Sequence, residues 1–255
     1  MKLFFRELGD GEPLIIMHGL FGLSDNWMSI GRDLAEKYHI FLVDMRNHGQ
    51  SPHSDFFNYE VMAADIQEFM LDNHIWEAVL MGHSMGGKVA MTLAQQFPLK
   101  VKKLIVVDIA PKSYQTSFFE EILEHLKSID ISKVKSREEI DEQLAEKISD
   151  PGIRQFLLKN VARKDKHSFE WKINLEGVKK NLSDIVTKFP GNKVFKKPTL
   201  FIKGEKSDYI TSEDYPTLKK MFPNAEIVTI ANASHWLHVE APEAFLEKVH
   251  QFLDQ

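Results

Sequence analysis

The sequence predicts an α/β fold built on a mostly parallel sheet, and three observations support that class. Short apolar runs rich in Ile, Val and Leu recur along the chain, and amphipathic stretches at helical spacing separate most of them. One long, strongly charged segment interrupts the pattern between Pro111 and Pro198. Strand and helix patterns that alternate in this way are typical of repeated βαβ units, whose helices cover both faces of the sheet.

The apolar runs are the predicted strands, because runs this short and continuous are typical of parallel strands buried on both faces. The stretches between them, such as "NWMSIGRDLAEKY", "YEVMAADIQEFMLDN" and "GGKVAMTLAQQF", predict helices. At the start, "KLFFREL", "GDGEP" and "LIIM" predict a hairpin whose first strand is antiparallel to its neighbour. The remaining runs are "PLIIMHG" ending at Gly19, "IFLVDM" at 40–45, "AVLMGH" at 78–83, "KLIVVDI" at 103–109, "TLFIKG" at 199–204 and "EIVTIA" at 226–231.

The charged segment predicts an inserted helical lid over residues 112–197, so that residues 1–111 and 198–255 form the core. Within it, Ser136 followed by Glu139 in "SREEIDEQLAEK" matches a capping box and predicts a helix start. Asp150-Pro-Gly predicts the end of that helix.

The composition excludes several classes of function. The net charge is −5, from 32 basic and 37 acidic residues, so neither nucleic acid nor an anionic membrane surface is an expected partner. Cysteine is absent, which excludes disulfides, thiolate metal sites and cysteine nucleophiles. Charged residues interrupt the N-terminal stretch, and no apolar run approaches the roughly 18 residues of a membrane span, so we expect a cytoplasmic protein without stable membrane insertion.

The stretch "VLMGHSMGGKV" places Ser84 between a predicted strand and a predicted helix, with Gly82 and Gly86 two residues to either side. This is the pattern of a G-x-S-x-G nucleophile elbow, a strained turn that exposes the serine hydroxyl above the sheet. Side chains at the two glycines would collide where strand and helix cross, and Gly87 gives the helix further room. The alternative is a tight connection without chemistry, but the flanking strand and helix favour a nucleophile.

A serine nucleophile needs a base, which follows later in the chain in this kind of site. His235 in "ANASHWLHVE" is the candidate, because it follows the last predicted strand in a polar loop. The other histidines after Ser84 fit helical periodicity, the insertion or a helix start, and are His125, His250, His167 and His238.

A metal site is not expected near the candidate base. His235, His238 and Glu240 lie close together in the sequence, but no further ligand is indicated nearby. A bound metal would also remove the basicity that His235 needs.

A tetrahedral intermediate on Ser84 would need two backbone N–H donors for its oxyanion. One is expected from Met85, directly after the nucleophile, and the other from Leu20 in "MHGLFG". Gly19 allows a close backbone approach there. The alternative is that Gly19 and Gly22 only form a turn.

Five motifs together resemble the α/β-hydrolase superfamily, and more narrowly the small bacterial esterases of the YbfF type and their abhydrolase relatives. The motifs are "HGLFG", "VDMRNHGQSP", "GHSMGGKVA", "VDIAP" and "SHWLHVE". The resemblance implies an eight-stranded, mostly parallel sheet with a helical lid, and hydrolysis of small-molecule acyl esters or thioesters without a cofactor. Asp44, Arg46 and His48 of the second motif are expected to have structural roles.

The acid of the site departs from the usual pattern of the superfamily. The usual position, three residues beyond the glycine that ends the strand after the lid, holds Ser207, and Asp208 follows one residue later. Asp108 in "VVDIAP" is the alternative, at the end of the strand after the nucleophile's helix. We expect Asp108 to be the acid, with Ser207 adding a hydrogen bond, while capping of the turn to Pro111 is its structural alternative.

The expected reaction is hydrolysis through an acyl-enzyme on Ser84. Residues 113–119, beside Phe21 and Trp236, are expected at the mouth of the substrate pocket. Carbon-carbon bond cleavage is a rival and would need an Arg-lined pocket, for which Arg154 and Arg163 are candidates. Dehalogenation is disfavoured because it needs a carboxylate nucleophile, and a non-catalytic small-molecule receptor is a rival from another class.

Overall fold

The computed structural model describes residues 1–166 and 168–255, in which the predicted apolar runs form one seven-stranded sheet. Each run is rich in the branched residues that favour strands. Two further short strands pair separately. The strands are β1 Phe5–Leu8, β2 Glu12–Met17, β3 Tyr38–Val43, β4 Ala78–His83, β5 Val101–Val107, β6 Val161–Arg163, β7 Phe169–Trp171, β8 Thr199–Gly204 and β9 Ala225–Ile230.

The order across the main sheet is β1-β3-β2-β4-β5-β8-β9, and every pair except β1 with β3 is parallel. The predicted α/β class with a mostly parallel sheet is confirmed. The predicted hairpin is wrong in its partner: β1 runs antiparallel to β3, because β2 is already paired on both sides by β3 and β4. The family resemblance implied a main sheet of eight strands, but among the described residues the main sheet has seven.

Helices cover both faces of the sheet, as predicted, and alternate strand residues build two separate cores. Ile15 and Leu80 pack with the helices at 59–72 and 85–96 on one face, whereas Leu14 and Val79 pack with the helices at 28–34 and 242–253 on the other. The helices are α1 Met28–Leu34, α2 Tyr59–Asp72, α3 Met85–Gln96, α4 Ser117–Ser128, α5 Arg137–Ala145, α6 Pro151–Leu158, α7 Leu175–Thr187, α8 Tyr215–Met221, α9 Leu237–Glu240 and α10 Pro242–Leu253.

The segment 112–197, called the insertion below, lies in the chain between β5 and β8 and contains helices α4 to α7. Its character is mainly helical, as predicted, with one addition: β6 and β7 form a short antiparallel hairpin. None of the helices in the described ranges combines the length and apolarity needed to cross a bilayer.

The helix start predicted at Ser136 is present, but the predicted stop at Asp150-Pro-Gly is wrong. Ser136 Oγ accepts the N–H of Glu139 at the start of α5, which already ends at Ala145. Asp150 instead begins α6, and its Oδ1 accepts the N–H of Gly152 at 2.7 Å. A carboxylate cap followed by proline at the first helical position is a strong start signal, and here it decides the outcome.

The carboxyl ends of the parallel strands bring all the candidate site residues to one edge of the sheet, where ligands of open α/β sheets bind. Leu20 follows β2, Ser84 follows β4 and Asp108 follows β5. Ser207 follows β8 and His235 follows β9.

We expect Gly86→Ala to lower the free energy of unfolding by about 1–3 kcal/mol or more, the typical cost of overpacking. A Cβ there would lie 2.7 Å from the carbonyl oxygen of His18 and closer still to that of Met17. Backbone atoms of a central strand cannot retreat easily. Urea denaturation followed by circular dichroism measures the change.

Gly152→Ala is the matched control, because its nearest neighbour would be one atom of the exposed Asp150 side chain, at 3.1 Å, and not the backbone of a strand. We expect that variant to change the unfolding free energy by less than about 0.5 kcal/mol. Equal losses in the two variants would show that the crossing of α3 over the sheet does not limit the stability.

Candidate active site

Ser84 lies at the sharp turn between β4 and α3. Its backbone has φ 51° and ψ −117°, a region that serine occupies only under constraint. The constraint is the close crossing of strand and helix, because a Cβ on Gly82 would lie 2.6 Å from the amide nitrogen of Gly87 and nearer still to the carbonyl oxygen of Gly86. This strained turn is the arrangement that a G-x-S-x-G elbow requires.

A buried carboxylate and a histidine meet at the same edge. Asp108 has no exposed surface and a φ of 50°, and its Oδ2 accepts a hydrogen bond from Nδ1 of His235 at 2.7 Å. The N–H of Gly204 donates to Oδ1 at 3.1 Å, and the hydroxyl of Ser207 donates to Oδ2. Both carboxylate oxygens are therefore hydrogen-bonded, which compensates the cost of burying the group.

Asp208, the other candidate acid, is exposed at the surface. It lies one residue beyond Ser207, whose hydroxyl turns inward to Asp108. Since Nδ1 of His235 already donates to Asp108, the structure brings Asp108, Ser207 and His235 together and leaves Asp208 outside the group.

The side chains of Tyr209 and His83 both contact His235. The ring of Tyr209 stacks on it with centroids 3.8 Å apart and an interplanar angle of 17°. Burial raises the pKa of Tyr209 to about 12, so it packs as a neutral phenol. His83, directly before Ser84, donates from Nε2 to the carbonyl oxygen of His235 at 2.9 Å.

Within the described part of the chain, no hydrogen bond joins Ser84 Oγ to His235 Nε2. The two residues are linked through Tyr209, which lines the same cavity as Ser84 and stacks on the ring of His235. Bonds of this kind are often long in a free site and shorten when a substrate binds.

The loop after β2 carries Leu20 and is fixed by a neutral histidine. Burial lowers the pKa of His18 to about 4. Its Nε2 accepts the N–H of Met45 at 3.0 Å, so Nδ1 carries the proton and donates to the carbonyl oxygen of Gly19 at 2.7 Å. The ring thus fixes the peptide that precedes Leu20.

His48 fixes the peptide that follows. Burial lowers the pKa of His48 to about 3, and its Nδ1 donates to the carbonyl oxygen of Arg46 at 2.9 Å. Its Nε2 accepts the N–H of Phe21 at 3.3 Å. Phe21 has a φ of 62°. Its carbonyl oxygen accepts a hydrogen bond from Nδ2 of Asn160, a residue of the insertion, at 2.7 Å.

Asp44 and Arg46 fix the loop after β3 to neighbouring segments of the core. Asp44 accepts the N–H groups of Ser24 at 2.6 Å and Gln50 at 2.9 Å. Arg46 makes a buried double hydrogen bond to Asp65, at 2.5 and 2.7 Å. These contacts fit the structural roles expected for both residues.

A cavity of about 20 Å³ lies beside Ser84, which is room for about one water molecule. Leu20 and Met85 both line it. From the expected mouth at 113–119, Tyr114 and Phe119 line it as well. The further residues that line it are Tyr59, Lys88, Ile109, Ile185, Val186 and Tyr209.

The two weaker pocket candidates lie elsewhere. The ring of Phe21 stacks on Phe119, with centroids 6.4 Å apart, but Phe21 does not belong to the cavity lining. Trp236 lines a larger cavity of about 740 Å³ together with Phe156 and Val239. That larger space includes none of Ser84, Asp108 and His235 in its lining, so its size does not make it the centre of the chemistry.

The remaining histidines and Glu240 have other contacts. His238 stacks on Trp27, with ring centroids 4.1 Å apart and an angle of 5°, and Glu240 accepts hydrogen bonds from Ser234. His250 bonds Asp33 at 2.7 Å, and His125 lies on α4. His167 lies outside the described residues.

Three residues of the site were not singled out by the sequence analysis. His83 and Lys88 lie inside the motif around Ser84. Lys88 could have been found, because it is a charged residue on a predicted helix that is mostly apolar. Tyr209 carried no such signal, because its contact with His235 depends on how two distant loops meet.

The fold and this group of residues define a class. The model of the alpha/beta hydrolase fold family matches residues 12–129 of the chain. Relatives at 34–39% identity cover most of its length. The chain belongs to the α/β-hydrolase family and is a hydrolase.

Within the family, particular relatives can be named. The chain is 39% identical to the sn-1-specific diacylglycerol lipase ABHD11 of Danio rerio, over 98% of this chain and 80% of that protein. It is 34% identical to Esterase YbfF of Escherichia coli (strain K12), over 96% of this chain and 94% of that protein. Among solved structures, "Marine microorganism esterase" is 46% identical with a TM-score of 0.96, covering 98% of this chain and 99% of that one.

Buried histidines predict how the stability responds to acid. Burial lowers the pKa of His238 to about 3, whereas a histidine in the unfolded chain has a pKa of about 6.5. Below about pH 6.5 the unfolded chain therefore binds a proton that the folded protein does not, and stability falls as the pH falls. We expect His238→Phe, which keeps an aromatic ring on Trp27, to reduce the loss of unfolding free energy between pH 6.5 and 4 by up to about 3 kcal/mol.

Urea titrations at a series of pH values test this expectation, with His53→Phe as the control. His53 is exposed, so its replacement removes a histidine without removing a buried one. An unchanged acid response in His238→Phe would mean that other groups dominate the acid sensitivity.

Proposed function

We propose that the protein hydrolyses carboxylic esters or acyl thioesters of short to medium acyl chains through an acyl-enzyme on Ser84. The observation that carries the proposal is the fully buried Asp108 carboxylate bonded to Nδ1 of His235, next to the strained turn of Ser84. A histidine held in this way presents Nε2 as a base.

In the first half-reaction, Ser84 Oγ attacks the acyl carbonyl carbon while His235 Nε2 takes the hydroxyl proton. The tetrahedral intermediate collapses when the bond to the leaving group breaks, and His235 returns the proton to the leaving oxygen or sulfur. Asp108 accepts the Nδ1–H throughout, keeps the imidazole in one tautomer and stabilises its cation. Water then repeats the sequence on the acyl-enzyme, releasing the acid and restoring Ser84.

The oxyanion of each intermediate is held by the backbone N–H groups of Leu20 and Met85 in this proposal. Both residues line the cavity at Ser84, and Met85 begins α3, where N–H groups lack a partner within the helix. His18 and His48 stabilise the Leu20 loop from both sides. Fixed donors of this kind typically contribute a hundredfold to a thousandfold in rate.

Relatives and pocket support the choice of substrate class. Two relatives are named esterase and diacylglycerol lipase, and both names denote enzymes whose substrates are esters. The lining of the cavity is mainly apolar and aromatic, which suits an acyl chain. The insertion serves as the lid over the core in this proposal, because Tyr114, Phe119 and Val186 of the insertion line the cavity at Ser84.

Carbon-carbon bond cleavage is disfavoured by the positions of the two arginines that it would use. Arg154 bonds Asp141 at 2.8 Å and the carbonyl oxygens of Ile148 and Ser149. Arg163 lies over the ring of Phe169, 5.1 Å from its centroid. Neither arginine belongs to the lining of the cavity at Ser84.

Replacement of Ser84 tests the nucleophile. We expect the wild-type protein to hydrolyse p-nitrophenyl butyrate and Ser84→Ala to lose at least about a thousandfold in kcat, since no other group replaces the serine oxygen. A fluorophosphonate probe should label the wild type and leave Ser84→Ala unlabelled.

Ser132→Ala is the control, because Ser132 is exposed and bonds only its neighbour Asp130. It should retain wild-type turnover. Equal rates in the wild type and Ser84→Ala would refute the proposal, and a wild type inert to both ester and probe would favour a receptor.

Asparagine substitutions distinguish the two candidate acids, Asp108 and Asp208. We expect Asp108→Asn to lower kcat by roughly ten-thousandfold, as the corresponding change does in serine proteases, because an amide favours the wrong imidazole tautomer. Asp208→Asn should change kcat less than about threefold, since Asp208 is exposed and His235 Nδ1 is bonded elsewhere. Steady-state kinetics give the ranking, and the reverse order would overturn the assignment of Asp108.

A further inference from the structure

Lys88 is a buried charged residue that the proposed reaction does not use. It lies on α3, one helical turn after Ser84, and only 1% of its surface is exposed. Its Nζ donates to three backbone carbonyl oxygens, at 2.8 Å to Lys112, 3.1 Å to Lys188 and 3.4 Å to Val186.

The surroundings of Lys88 suit an ammonium group. An ammonium has three N–H donors, and three carbonyl oxygens receive them here, whereas a neutral amine has only two. Nζ also lies over the rings of Tyr114 and Tyr59, 4.9 and 5.5 Å from their centroids. Burial lowers the pKa of Lys88 to about 7 because the charge loses hydration, whereas the three carbonyl oxygens and the two rings favour the charged form.

The three carbonyl groups come from the two ends of the insertion. Lys112 is its first residue, and Val186 and Lys188 lie where α7 ends, close before the chain returns to β8. The ends also touch each other, because the N–H of Tyr114 donates to the carbonyl oxygen of Val186 at 3.2 Å. One cation on the helix of the nucleophile therefore holds both ends of the insertion.

These same ends close the cavity at Ser84. Tyr114 and Val186, which contact Lys88, line it together with Lys88 itself. The cavity of about 20 Å³ has room for about one water molecule within this lining, so we expect a longer acyl chain to press against the ends of the insertion.

We propose that Lys88 is a positioning residue that determines acyl chain length, by holding both ends of the insertion against α3. The inference rests on the proposed ester hydrolysis at Ser84 and adds its specificity. Short acyl groups need little room in the cavity, and longer ones work against the contacts that Lys88 makes with the ends of the insertion.

The test compares p-nitrophenyl acetate, butyrate and octanoate in the wild type and Lys88→Met, which keeps the length of the side chain without its charge. We expect the ratio of kcat/KM for octanoate to that for acetate to rise at least tenfold, mainly through a lower KM for octanoate. Both rates are measured on the same variant, so the ratio corrects for any general loss of active protein. An unchanged ratio would overturn the inference.

Lys103→Met is the matched control. Lys103 Nζ also donates to two backbone carbonyl oxygens, of Phe252 at 3.1 Å and Leu253 at 2.7 Å, and also lies over an aromatic ring. It joins β5 to the end of α10, away from Ser84, so its loss should leave the chain-length ratio unchanged. The same rise in Lys103→Met would assign the effect to general loosening and reject a special role of Lys88.

Chemical rescue gives a second route that does not depend on how Lys88→Met folds. Because the chain has no cysteine, Lys88→Cys can be alkylated at one thiol in denaturant and refolded. Alkylation with 2-bromoethylamine restores an ammonium, whereas 1-bromopropane gives an apolar chain of the same length. The ammonium form should recover the wild-type ratio and the propyl form should not, and identical ratios would refute the inference.

Failure of the inference is distinguishable from failure of the proposed function. A wild type that hydrolyses the esters in a Ser84-dependent way, with equal ratios in all Lys88 forms, retains the function and rejects the role of Lys88. A wild type that hydrolyses none of the three esters rejects both.

Discussion

The buried Asp108 carboxylate is the constraint on which the rest of the site depends. A carboxylate without exposed surface is strongly unfavourable unless hydrogen-bond donors surround it. The donors come from Gly204 and Ser207 after β8 and from His235 after β9, so one group on β5 fixes the loops of two further strands. Any arrangement that moved one loop away would leave the charge partly unpaired, and that penalty selects a single geometry.

The other half of the site depends on the absence of side chains. Gly82 and Gly86 let α3 cross the sheet so closely that Ser84 is forced to a positive φ. On the opposite side, His18 and His48 remain neutral because burial lowers the pKa of each, and they bond backbone groups of the loop around Leu20. Rigid packing thus fixes the serine, and neutral hydrogen bonds fix the loop that faces it.

Local patterns in the sequence predicted the elements, and non-local contacts decided what the patterns left open. The apolar runs became strands and "GHSMGG" became the turn of Ser84, because strand burial and backbone crowding act within a few residues. The partner of β1 depended on which edge of the sheet was free, which no local pattern contains. Likewise, the sequence alone offered Asp108 and Asp208 as acids, and only the meeting of the β5, β8 and β9 loops leaves Asp208 at the surface. At Asp150, two known rules competed, and the cap of α6 prevailed over the turn signal.

Lys88 connects these two halves to the insertion. A lysine within an otherwise buried helix is unfavourable for α3 alone, since its charge loses hydration and its long side chain loses freedom. Its contacts become favourable only when both ends of the insertion supply carbonyl oxygens, so the helix that begins at Ser84 is completed by a segment far along the chain. The position of the insertion beside Ser84 is therefore coupled to the stability of the helix that begins there. Under the proposed ester hydrolysis, a substrate that displaces the insertion works against the same contacts that keep α3 in place, so selectivity for acyl chain length depends on the fold as well as on the pocket lining.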